Sequence, residues 1–121
     1  MVFPFKSFYE SGATISIGSD WFLPETPNLF AGISGIVSRP GENLPLETVL
    51  KIVTKGASEA AGIKNTGSIE KGKKANFIIL DRNILSAKEI KSTRVKKTYF
   101  EGKLVYDYDT DDERDAFDIY T

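Results

Sequence analysis

Histidine and cysteine are both absent from the 121 residues. Without cysteine there is no disulfide, no thiolate metal site and no thiol nucleophile. The compartment stays open, with cytoplasm the default expectation. Without histidine the chain lacks the usual general base near neutral pH and the commonest zinc ligand. A Ser–His or Cys–His nucleophile is excluded, and a metal site would have to rely on carboxylates and carbonyls. No apolar run approaches the ~20 residues of a membrane span, and no charged-then-apolar leader pattern is legible, so no membrane partner is expected.

What is present is ordinary for a globular protein: 40% apolar residues, 27% charged and 12% aromatic. The net charge of −1 hides an asymmetry. Residues 1–106 carry 15 basic against 10 acidic residues, whereas residues 107–121 carry one arginine against seven acids. A basic body with an acidic tail is a common pattern for a solvated end, so residues 109–121 are expected to be disordered or loosely docked.

Hydrophobic spacing sets out the elements. Pro4 suits a first helical turn, and Phe5, Phe8 and Tyr9 follow on one face. Gly12 is a left-handed stop. Residues 13–18 then alternate, with Ile15 and Ile17 on one side and Thr14 and Ser16 on the other, which predicts a short strand. Thr26-Pro27 reads as an N-cap and first residue of a helix over 28–39, weakened by Gly32 and Gly35. Residues 38–45 form a loop, and 46–62 an amphipathic helix with a weak point at Gly56 and an end at Gly62. From Ser68 the period changes to strands: "ANFIILD" at 75–81, and a hairpin over 96–107 around Glu101-Gly102. Ser86 and Glu89 match a capping box and predict a helix over 87–92. Within the hairpin, alternation predicts Phe100 and Leu104 inward and the lysines outward.

Three features bear on chemistry. "GSIEKGKK", 67–74, nearly spells a P-loop, but Lys74 replaces the final Ser/Thr and the stretch leads into a strand rather than a helix. It is read as a turn. Lys88, Lys91, Arg94, Lys96, Lys97 and Lys103 interleave with Tyr99 and Phe100, a pattern that could hold single-stranded nucleic acid but more commonly marks a solvated face. A nucleic-acid partner is therefore not expected. Asp20 ends the 13–18 strand, where barrel enzymes place catalytic carboxylates; an aspartate after Gly-Ser also caps turns.

In order along the chain, "FPFKSFYESGATISIGSDWF", "LPLETVLKIVTKGASEAAGI", "GSIEKGKKANFIILDRN" and "VKKTYFEGKLVYD" resemble the C-terminal region of the amidohydrolase superfamily, in particular amidohydrolase family 3. The resemblance covers residues 3 to about 107. It implies an α+β fold: the C-terminal fragment of a TIM-like barrel hydrolase, with its last strand and helices, plus the C-terminal strands of a small β-sandwich. The division expected is 1–65 for the last barrel strand and its helices, 66–107 for the sandwich strands, and 108–121 for the acidic tail. It implies hydrolysis of C–N bonds with a divalent metal, zinc in particular. Asp20 would bind metal or orient the hydrolytic water and carry its proton. Trp21 would sit at the substrate mouth or pack against the 28–39 helix. Asn76 stands where many relatives have aspartate.

The family's metal ligands are mainly histidines, and this chain has none. One carboxylate cannot hold a catalytic zinc, which takes three protein ligands. The chain alone is therefore expected to be inactive and to retain no metal. Its expected partner is a companion chain carrying the N-terminal barrel, or a second copy in a homo-oligomer. The alternative function is a non-catalytic, self-associating module.

Overall fold

The computed structural model describes residues 3–20 and 28–111. Helix α1 runs Phe5–Glu10 with Pro4 at its N-cap, and Gly12 follows at φ +82°. Helix α2 runs Phe30–Ser38. The Asn28 side chain accepts from the Phe30 N–H at 2.8 Å, which satisfies one of the helix's free donors. The expected Thr26-Pro27 start lies outside the described residues.

The next helix is one rod of three parts: α3 over Leu46–Lys51, a π-helical turn over Ile52–Gly56, and α4 over Ala57–Ala60. The Thr54 hydroxyl donates to the Leu50 carbonyl at 2.7 Å, a side-chain bond that competes with the regular ladder where the π turn forms. Gly62, at φ +66°, ends the rod.

Phe30, Ile33 and Ile36 of α2 pack with Leu44, Val49, Ile52 and Ile84 into the buried core. Fully burying each such side chain contributes about 1.5–3 kcal/mol. Phe5, Ile15, Ile17, Leu80 and Val95 flank this cluster, so it joins the helices to one end of the sheet.

That sheet has three antiparallel strands in the order β1 (Phe77–Leu80), β2 (Val95–Phe100) and β3 (Lys103–Asp107). Glu101 at φ +49° and Gly102 at φ +78° make the tight turn between β2 and β3. Asn76 latches that turn to the preceding loop. Its carbonyl oxygen accepts from the Glu101 N–H at 2.7 Å, and its amide donates to the Thr66 hydroxyl at 3.3 Å. The loop in turn closes on the helical rod. Ser58 donates to the Ile63 carbonyl at 2.6 Å, and a Cβ on Gly67 would stand 2.7 Å from the Ser58 Cβ.

Three expectations are corrected. Residues 13–18 are extended and alternate in exposure, with Ile15 and Ile17 half-buried, but they form no strand. A strand needs a neighbour, and no other described strand lies beside this one. The helix over 87–92 is absent. A 3-10 turn, Ile84–Ser86, forms instead, capped by Asn83, whose side chain accepts from the Leu85 N–H at 3.1 Å. Asn83 thereby takes the capping role one turn before Ser86 could. Phe100 and Leu104 are not inward: they are 57% and 47% exposed, because only the Leu80–Val95 end of the sheet meets the core.

Gly56 decides how the 13–20 segment sits. A Cβ there would lie 2.7 Å from the Ile15 carbonyl oxygen, so only glycine admits this approach of backbone to helix. Cβ atoms on Gly32 and Gly35 would meet nothing. Gly56→Ala is expected to lower the unfolding free energy by about 1–3 kcal/mol in urea titration, and Gly32→Ala to raise it by about 0.5–1 kcal/mol. Thr93 is fully buried and its hydroxyl has no hydrogen-bond partner among the described residues. Thr93→Val is expected to stabilise by about 1 kcal/mol in the same titration.

Candidate functional site

The extended segment carries Asp20 on a backbone at φ +51°, a left-handed conformation uncommon for a residue with a side chain. Asp20 is exposed. From Thr14 to Asp20 no backbone group finds a backbone hydrogen-bond partner among the described residues. The segment is held by its alternating side chains: Ile15 and Ile17 lie against the core, while Thr14, Ser16 and Gly18 face out. Trp21 lies outside the described residues.

A shallow cavity of about 470 Å³ opens between this segment and the helical rod, lined by Tyr9, Thr14, Ile15, Lys55, Gly56 and Glu59. A second, of about 400 Å³, lies beside the 62–67 loop and is lined by Lys55, Ser58, Lys64, Asn65 and Lys73. Asp20 lines neither. Among the described residues no group of three or more histidines, cysteines or acids could hold a metal ion. The described residues by themselves therefore do not make up a catalytic metal centre, and no chemical step through a metal is assigned to them.

The strongly perturbed carboxylate is one that sequence reasoning missed. The Arg82 guanidinium beside Asp81, joined by the Arg94 backbone N–H, brings its carboxyl from 3.8 down to about 2. The Arg82 Nη2–Asp81 Oδ2 distance is 2.7 Å, and the Arg94 N–H donates to Asp81 Oδ1 at 3.0 Å. The Asp81 N–H meanwhile donates to the Arg94 carbonyl. Asp81 is thus a clasp between the end of β1 and the start of β2. The adjacent Asp81-Arg82 pair, following an apolar run, was its only sequence signal.

The basic stretch is largely engaged within the chain. Lys97 stands opposite Asp107 in register and bonds it at 2.6 Å; that partner raises the lysine and lowers the aspartate. Lys96 pairs with Asp109, and Lys91 with Glu89. Arg94 and Lys96 both lie over the Tyr108 ring. The start of the acidic tail is therefore docked on β2, where the Tyr108 N–H donates to the Lys96 carbonyl. The P-loop-like stretch is a turn leading into β1, with the Lys73 amine on Ser68 and Glu70.

The chain belongs to the amidohydrolase family, whose model matches residues 1–106. Members are hydrolases and generally metal-dependent. Among particular relatives, a 5-methylthioadenosine/S-adenosylhomocysteine deaminase of Bacillus cytotoxicus is 60% identical over 38 residues, 31% of this chain and 9% of the relative. Deaminases of the same name from Bacillus cereus and Bacillus anthracis are 58% identical over 38 residues, with the same coverage. The match thus spans about a tenth of the length of these curated relatives. No solved structure matches the chain.

The depressed Asp81 fixes a pH dependence. Its folded value lies below its ordinary one, so its stabilising contribution is complete above 3.8 and is lost as pH falls through about 2. Asp81→Asn is expected to melt below the parent chain at pH 7. The gap should narrow as pH drops from about 4 towards 2, as followed by circular dichroism.

Proposed function

We propose that this chain is the C-terminal part of the catalytic unit of a metal-dependent hydrolase of C–N bonds. In this reading residues 13–20, unpaired in this chain, become the last strand of a TIM-like barrel once a neighbouring strand is supplied, α2 and the α3–α4 rod are the helices after it, and the β1–β3 sheet belongs to a small β-sandwich. Asp20 is the carboxylate that takes a proton from the hydrolytic water, and Trp21 lies at the substrate mouth. The observation that carries the reading is the 13–20 segment. Its apolar side chains are seated on helices, its backbone edges are unmatched, and it ends in an exposed acid. Family membership over residues 1–106 supports it. The relatives' printed names add a substrate class, since deamination of an adenine ring replaces a C–N bond with one to water's oxygen.

Zinc-binding histidines must then come from another stretch of polypeptide, because none of these 121 residues is histidine. The 121-residue chain is inactive by itself. The test is deamination of 5-methylthioadenosine with zinc present. The chain alone should give no turnover. Mixing it with a barrel lacking its own last strand, taken from one of the Bacillus relatives, should restore activity. Asp20→Asn should then lower kcat by about 10²–10⁴-fold, the usual weight of a proton-transferring group. Turnover by the chain alone, or full activity with Asp20→Asn, would overturn the proposal.

A further inference from the structure

The two edges of the sheet are built differently. β3 is an edge with protections. It begins at Lys103 and ends at Asp107, and the register shift between Thr98 and Tyr99 leaves Val105 as an extra residue that bulges the strand. Charges and bulges are the usual means of blocking an edge against further pairing. β1, Phe77–Leu80, has neither. All four of its residues are apolar. The irregularity in its pairing with β2 falls on Lys96, across from it, so β1 itself stays regular. Its outer N–H and C=O groups meet no backbone partner among the described residues.

Alternation sends Ile78 and Ile79 to opposite faces of the sheet, and each is nearly half exposed, at 49% and 44%. A strand added to this edge would therefore remove apolar surface from water on both faces while satisfying the open backbone groups. The charge pattern selects the occupant. β3 of another molecule would bring Lys103 and Asp107 beside uncharged isoleucines. The strand that is equally regular and uncharged is β1 of a second copy.

We propose that two copies of this chain pair through β1, antiparallel about a twofold axis at Ile78, joining two three-stranded sheets into one of six. Across the axis Ile78 faces Ile78 of the other copy and Phe77 faces its Ile79, so that opposed side chains share a face of the sheet. The interface is isologous, so it closes at two copies and leaves the guarded β3 strands as the outer edges. The pairing uses the sheet that the hydrolase reading assigns to a small β-sandwich, but not Asp20, and it is tested on this chain without a companion.

The test is sedimentation equilibrium of the full chain over a range of concentrations, with hydrogen exchange measured in parallel. A monomer–dimer equilibrium is expected, with protection of the β1 amides that grows with concentration. Ile79→Lys places a charge on the edge and should weaken the dimer at least about tenfold. If circular dichroism shows that variant unfolded, Ile78→Thr, a milder change on the opposite face, should weaken it in the same direction. A monomer at every concentration, or a dimer that neither substitution weakens and whose β1 amides exchange as fast as in dilute solution, overturns the proposal.

Discussion

The approach of the Ile15 carbonyl to Gly56, closer than any side chain would allow, governs where the 13–20 segment can lie. It lays an extended segment against a helical rod with no strand beside it. Everything that follows depends on that seating: the half-burial of Ile15 and Ile17, the exposure of Thr14 and Ser16, and the position of Asp20 past the last supported residue. The π turn ends at this same glycine, so the irregular part of the rod and the seat of the segment coincide. Irregular turns of this kind recur where a helix is shaped for something other than its own stability.

What the sequence disclosed was mostly local. Gly12, Gly62 and the Glu101-Gly102 turn could be read because a left-handed residue is a property of a few neighbouring atoms. The amphipathic spacing of residues 46–62 and the apolar run at 75–81 likewise specified a helix and a strand within a few residues. The failures were contests or long-range requirements. Asn83 and Ser86 both offer capping oxygens, and nothing in the spacing says which wins. Ile15 and Ile17 have strand alternation, but a strand is defined by a partner, and alternation cannot supply one. Alternation places Phe100 and Leu104 inward only where one face of the hairpin is covered along its length. The sheet meets the core only at its Leu80–Val95 end. Of the candidate site, Asp20 was legible as an acid closing an extended segment, whereas its left-handed backbone was not.

The charged residues tell a consistent story about where chemistry is and is not. Asp81 and Asp107 are two of the four carboxylates drawn down among the described residues, and both hold strands together. Perturbation of this kind commonly points to catalysis, but these two shifts have a structural cause in an adjacent cation. Asp20 lies exposed at the end of its segment, apart from both strand-holding clasps.

The two fastenings of β1 differ in what can undo them. At one end Asn76 joins the hairpin turn to the Thr66 loop through a neutral amide, which has no proton to gain or lose in ordinary solutions. At the other, Asp81 fastens the strand through a negative charge that strong acid removes. Strong acid therefore loosens the Asp81 clasp and leaves the Asn76 latch chemically unchanged.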